Sequence, residues 1–180
     1  MSEEKYDILD ENGHYTGKTK SRSLVHRDGD WHRTAHIWVM NPAGELLLQR
    51  RSPEKDSYPN MLDISAAGHI AAGEEPVIGA LRELQEELGI TARPEDLTLL
   101  GTIKAESLGL QPGYNNNEFT DLYLYRTTLS ADEMTPQPEE VSEIFFVPFA
   151  KLKAMVENHQ PDLLPHGEEY ELLMRYIEEH

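Results

Sequence analysis

Residues Gly68 to Ile90, GHIAAGEEPVIGALRELQEELGI, constrain this chain more than any other segment. Pro76 suits the first turn of a helix, where its missing N–H costs nothing. Glu74 and Glu75 sit near that start, where the helix dipole favours negative charge. Gly89 is placed to cap the far end. Between these signals Val77, Ile78, Leu81, Leu84 and Leu88 recur at roughly 100° per residue, which predicts a helix with one apolar face. The segment reads as loop, helix, loop.

Glu83, Glu86 and Glu87 fall on a second face of that helix, at spacings of three and four. Like charges so placed repel and destabilise an isolated helix. A cation held between them removes that cost. Carboxylate clusters of this kind suit Mg²⁺ or Mn²⁺, hard ions that prefer oxygen ligands. Such ions polarise phosphoryl oxygens and lower the pKa of a bound water. A solvated acidic face is the bland alternative for an arbitrary helix of this composition. The flanking glycines, Arg82 and Glu74 favour the metal site.

The 180 residues suit a single domain spanning 1–180, long enough to bury about 70% of its unfolded surface. A formal charge of −17 and the lack of any basic stripe argue against nucleic acid as a partner. An anionic substrate then needs local positive charge from metals or a few placed arginines and lysines. With no cysteine, disulfides, thiolate catalysis and cysteine-based zinc sites are excluded. No apolar run approaches the ~18 residues of a membrane span, and MSEEKYDILD does not read as a signal peptide. No membrane partner and a cytoplasmic location are the resulting expectations, and a homodimer is compatible with the sequence.

Turn signals divide the rest of the chain. Tyr6 to Leu9 and His14 to Thr19 flank Asp10-Glu-Asn-Gly13 and read as a hairpin, about residues 6–20. His36 to Met40 and Glu45 to Gln49 read as strands joined by Asn41-Pro-Ala-Gly44. Leu62 to Ala66 is a short apolar run. Leu97 to Ala105 and Phe119 to Thr127 read as strands around a Gly- and Asn-rich loop, Leu108 to Asn117. Ile144 to Val147 is the last expected strand. Phe149 to Glu157 and Glu168 to Glu179 read as helices. Strands interleaved with helices imply an α/β fold, a mixed sheet packed between helices.

The spacing of Gly68, Glu74, Arg82, Glu83, Glu86, Glu87 and Gly89 resembles the Nudix box, the signature of enzymes that hydrolyse diphosphates linked to another group. The resemblance implies a Nudix-type α/β/α sandwich, with the box at residues 68–90. It also implies metal ligation by Glu83, Glu86, Glu87 and the Gly68 carbonyl, with Arg82 orienting the glutamates and Glu74 anchoring the loop. The catalytic base is then Glu83 or a carboxylate outside the box, Glu118 first and Glu106 second.

From about Lys20 to Thr128 the chain is similar to the Nudix branch that includes type I isopentenyl-diphosphate isomerase. The similarity is carried by His32, the strand ending in Asn41, GELLLQRR, Lys55, Gly68-His69, Glu118 and Arg126-Thr-Thr. Those isomerases hold an ion on three histidines and two glutamates. His32, His69 and Glu118 match that set, His26 is displaced by about one residue, and Asn116 stands where the other glutamate belongs. Taken from the residues alone, His26 and His36 read as surface or hydrogen-bonding groups. Arg51 and Lys55 match diphosphate-binding positions, and a fork plus a point charge is suitable chemistry for phosphates. Their bland alternative is a solvated loop.

Two departures separate this chain from the isomerases. The cysteine they carry before the Gly-His pair is Ala67 here, and the box carboxylates they have lost are complete. The expected function is metal-dependent cleavage of a P–O–P bond in a small-molecule diphosphate, nucleoside-linked or other, by water attack at phosphorus. An isomerase of the isopentenyl-diphosphate type and a catalytically silent diphosphate-binding module are the alternatives. Trp31, Tyr58, Tyr114 and Phe119 are candidates for stacking a base and equally for packing.

Overall fold

The runs IWVM and LLL on neighbouring strands have no polar side to turn outward, so both faces of their sheet must be covered. The computed structural model shows how. It describes residues 3–55, 57–111 and 114–180, with residues 107–111 and 114 described by backbone alone. Strands β1 (Lys5–Leu9) and β2 (Tyr15–Ser21) form a separate antiparallel hairpin, and a short helix α1 (Arg22–Asp28) follows. The central strand β3 (His32–Met40) runs parallel to β8 (Tyr114–Arg126), with His32 opposite Glu118. On its other side β3 pairs with β6 (Ala66–His69), Thr34 opposite His69 and Ala35 opposite Gly68, and reaches β4 (Glu45–Arg51) at Met40. Strands β5 (Leu62–Asp63) and β9 (Val141–Pro148) flank β4, and β7 (Leu97–Gln111) pairs antiparallel with β8. The sheet is mixed.

Alternation along β3 sends side chains to two cores. Ala35, Ile37 and Val39, with Leu47 of β4, pack on Ala80, Leu84 and Leu88 of helix α2 (Pro76–Leu88). Trp38 and Met40, with Leu46 and Leu48, pack against Leu152 of α3 (Phe149–Glu157) and Tyr170 and Leu173 of α4 (Glu168–Glu179). Helices on both faces make an α/β/α sandwich. Each fully buried leucine contributes about 2 kcal/mol. No helix among the described residues is long and apolar enough to cross a membrane.

Four expectations are corrected. The stretch Leu108 to Asn117 is not a loop at its ends: β7 continues to Gln111 and β8 begins at Tyr114. Pro112 and Gly113 between them lie outside the described residues. A long antiparallel ladder carries both strands out, with Ser107 opposite Asn116, which local Gly and Asn signals could not reveal. Helix α1 is unexpected, as its seven residues hold little periodicity, although Gly29 ends it in the left-handed conformation. The run Leu62 to Ala66 is split into two strands. Ser65 at the break accepts from the Val39 N–H and donates to the Leu47 carbonyl. On α2, Ile78 is exposed and Glu87 is buried beside Ala80, Leu84 and Leu88. An apolar-face count misses this because polar partners on the sheet receive the Glu87 carboxylate.

Candidate active site

Helix α2 packs over β6, and its carboxylates meet the backbone there. Glu87 accepts from the Ala67 N–H at 3.2 Å and from Gln49 Nε2 at 3.0 Å. Gln49 also donates to the Ser65 carbonyl, so it is fixed at both ends. Burial, and then the negative charge of Glu83, push the Glu87 carboxyl up to about 8 despite those two donors. Glu83 is pushed up to about 7 by burial, which outweighs the pull of the Arg82 guanidinium. Glu86 is half exposed.

Glu83 lies directly on Gly68. A Cβ added to residue 68 would stand 2.0 Å from the Glu83 carboxyl carbon, so only glycine admits the carboxylate here. At the far end, Gly89 adopts φ +69 with its Cα against Thr135. The N–H groups of Thr135 and Gln137 donate to the Leu88 and Glu87 carbonyls, tying the end of α2 to a distant loop.

Arg82 joins the carboxylates. It donates to both Glu74 oxygens at 3.1 and 3.0 Å, to Glu83 at 2.5 Å, to Glu86 at 3.3 Å and to the His69 carbonyl at 2.9 Å. Glu74 in turn accepts from the Ala71 N–H. Repulsion among Glu83 and Glu86 is therefore met by an internal cation, a task that the helix spacing alone assigns to a metal.

A second set lies on the face of β3 turned towards α4. One ring nitrogen from each of His26, His32 and His69 falls within 4.8 Å of the others. Glu118 Oε1 stands 3.6 Å from both His32 Nε2 and His69 Nε2, which make no hydrogen bond. Burial alone would raise the Glu118 carboxyl, but His32 and His69 beside it bring it down to about 2. Burial takes His69 down to about 3. Tyr6 of β1 stacks on His69 at 4.7 Å and on His32 at 5.6 Å, so the N-terminal hairpin roofs the set. Asn116, two residues before Glu118 and on its face of β8, also has a buried carbonyl oxygen without a hydrogen bond. Buried acceptors left open around one carboxylate are what a cation site requires. Glu106 is exposed on β7, opposite Asn117.

Arg51 and Lys55 are committed to protein groups. Arg51 donates to Asp63 at 2.9 Å and to the Ser57 carbonyl, and Lys55 pairs with Glu140. Of the aromatic candidates, Trp31 packs on Phe119 with Lys104 over its ring, and Tyr58 is exposed. The side chain of Tyr114 lies outside the described residues. Sequence reasoning did not find Gln49 or Tyr6, and it set His26 one residue out of register with His32 and His69, where the structure brings the three together. Each depends on a contact between distant strands, and only the alternation of Tyr6 with Ile8 hinted at an inward tyrosine.

A family model described as the NUDIX domain matches residues 30–167, and the chain belongs to that family. Membership places it among hydrolases acting on diphosphate bonds. The chain is 38% identical to Nudix hydrolase 3 of Arabidopsis thaliana over 169 residues, which cover 92% of this chain and 22% of that protein. It thus spans about a fifth of that relative's length. It is 32% identical to the isopentenyl-diphosphate Delta-isomerase of Streptomyces griseus over 81% of this chain and 72% of that enzyme. A crystal structure of a Deinococcus radiodurans protein superposes with a TM-score of 0.71 at 22% identity, covering 96% of this chain and 98% of that one, a likeness of fold.

Proposed function

We propose that this chain is a metal-dependent Nudix hydrolase that cleaves a P–O–P bond of an organic diphosphate by water attack at phosphorus. The observation that carries the reading is the placement of Glu83 and Glu87 against Gly68 and Ala67, with Arg82 and Glu74 fixing the loop. The donor set is oxygen-only, which fits Mg²⁺ or Mn²⁺. Glu83, Glu86, Glu87 and the Gly68 carbonyl would hold the ion. Bound there, it polarises the phosphoryl oxygens and lowers the pKa of water.

The chain's own residues supply the rest. Arg82 holds Glu83 and Glu86 in place before substrate arrives. Gln49 and the Ala67 N–H orient Glu87. Glu83 or Glu118 takes the proton of the attacking water; burial brings Glu83 to about 7, near the value an effective base needs, whereas His32 and His69 hold Glu118 low. Arg51 and Lys55 would neutralise the substrate diphosphate by exchanging Asp63 and Glu140 for phosphate oxygens. A second ion on His26, His32, His69 and Glu118 is the further reading, favoured by the unbonded ring nitrogens of His32 and His69. The test is phosphate release from a panel of nucleotide and prenyl diphosphates with Mg²⁺, Mn²⁺ or EDTA. Turnover that EDTA abolishes is expected, and turnover that persists in EDTA would overturn the assignment.

A further inference from the structure

Beyond the box and the Glu118 set, β3, β5 and α4 bring a third polar group into the core. His36 lies one step of the β alternation past Thr34, beside Trp38. His166 precedes α4, and Glu169 sits in its first turn. Glu169 Oε2 lies 2.7 Å from His36 Nδ1 and 3.6 Å from His166 Nδ1. One ligand atom from each of the three residues falls within 4.8 Å of the other two. Around an ion with bonds of ~2.0–2.2 Å, ligand atoms in tetrahedral array stand roughly 3.3 Å apart, a value that the 2.7 and 3.6 Å separations from Glu169 Oε2 bracket.

The atoms of His166 and Glu169 that would not face an ion are held. His166 Nε2 is 2.7 Å from Asp63 Oδ1. Asp63 is itself fixed by Arg51 at 2.9 Å and by the Ile64 N–H at 2.8 Å. The other oxygen of Glu169 accepts from the Trp38 indole N–H at 2.9 Å. Ligating histidines characteristically donate their second N–H to a carboxylate, and ligating carboxylates are themselves hydrogen-bonded. Here His166 and Glu169 carry those outer partners already, on a carboxylate anchored by an arginine and on a tryptophan of the central strand. Glu169 is 3% exposed, while His36 and His166 keep side-chain exposures of 16% and 19%, so an ion and one water can reach the group.

We propose that His36, His166 and Glu169 form a binding site for a borderline divalent cation of the Zn²⁺ type, separate from the carboxylate site on α2. Two imidazoles and one carboxylate select Zn²⁺ or Co²⁺ over Mg²⁺, which prefers oxygen alone. Three protein ligands leave a fourth position open to water. The ion cross-links β3 to the start of α4, and through Asp63 to β5 and Arg51.

The test uses the full chain stripped of metal, with excess Mg²⁺ added to occupy the α2 carboxylates. Ring ¹⁵N spectra of the assigned histidines are followed during titration with Zn²⁺. Once two equivalents have been added, enough to fill both histidine sets, the Nδ1 signals of His36 and His166 are expected to have moved to metal-bound positions while His166 retains its Nε2 proton. His69→Asn removes a ligand from the other histidine set, and in that background one equivalent of Co²⁺ should remain bound and absorb in the visible. His69→Asn/His166→Asn should lose it. The proposal is overturned if Zn²⁺ moves neither ring, or if the double variant binds Co²⁺ as His69→Asn does. The ring spectra decide on the wild-type protein alone should a variant fail to fold.

Discussion

Replacing Glu87 by glutamine should stabilise the metal-free protein at alkaline pH while abolishing turnover, and the size of the first effect can be worked from the site. The Glu87 carboxyl is pushed up to about 8 by burial and by Glu83, from an ordinary 4.5. A raised carboxyl means that the native state binds the proton more tightly than the unfolded chain. Its contribution to stability is complete below the unfolded value and is lost as pH rises through about 8. At 1.36 kcal/mol per unit, the loss between about pH 6.5 and about pH 8 is at most about 2 kcal/mol. Glu83, near 7, adds a smaller loss of the same sign, coupled to the first. His36, buried yet held near 9 by Glu169, falls in the same direction over this window. Glu118, near 2, has finished titrating below the window. His69, near 3, is neutral in the native state, and its unfolded counterpart, deprotonating from 6.5 upward, adds a small rise of opposite sign that is common to wild type and variant. Glutamine at 87 keeps an oxygen to accept from Gln49 and the Ala67 N–H but cannot ionise. Urea unfolding in EDTA should therefore show wild-type stability falling from about pH 6.5 to about pH 8, with a slope shallower by about 2 kcal/mol in Glu87→Gln. Mg²⁺ should restore the wild type at the upper pH by linkage and leave the variant unmoved. Equal slopes in the two proteins would refute the reasoning, because they would mean that Glu87 is ionised in the native state without a metal.

Three further outcomes follow from the same geometry. Glu86→Gln, on a half-exposed side chain, should cost on the order of a thousandfold in kcat with unfolding stability within about 0.5 kcal/mol of wild type; near-normal steady-state turnover in a folded sample would remove Glu86 from the site. Gly68→Ala should leave the fold intact, since its backbone is not left-handed, but displace Glu83 and lower metal-dependent turnover about a hundredfold, as measured by phosphate release; an unchanged rate would show that the close approach of Glu83 is not needed. No conversion of isopentenyl to dimethylallyl diphosphate is expected, because the methyl of Ala67 can neither donate nor accept a proton where placed acid–base groups contribute about 10²–10⁴-fold, and deuterium entering the product pool in D₂O, followed by NMR, would contradict this.

How far such a site can be read from sequence depends on the range of its contacts. The box helix is legible because its signals are local. Pro76 starts it, Gly89 ends it, and the carboxylates repeat within two turns. Even there the burial of Glu87 escapes, since nothing in the helix reports that Gln49 and the Ala67 N–H wait on the sheet. Glu118, His32 and His69 are singled out through resemblance. Their meeting is a matter of register: β3 and β8 run parallel with His32 opposite Glu118, and β6 is antiparallel with His69 opposite Thr34. A slip of one residue in either pairing would turn one of these groups to the opposite face of the sheet. His36, read alone as an ordinary polar residue, shows the converse. Its partner Glu169 is 133 residues away, and the only local trace of the pair is a histidine interrupting an apolar strand and a glutamate at the start of a helix. That the sheet directs two separate histidine–carboxylate groups towards α4 and receives an oxygen-only group from α2 is a property of strand order. On the proposed assignments it would present the oxygen-only ligand set from α2 and the histidine-containing sets from β3.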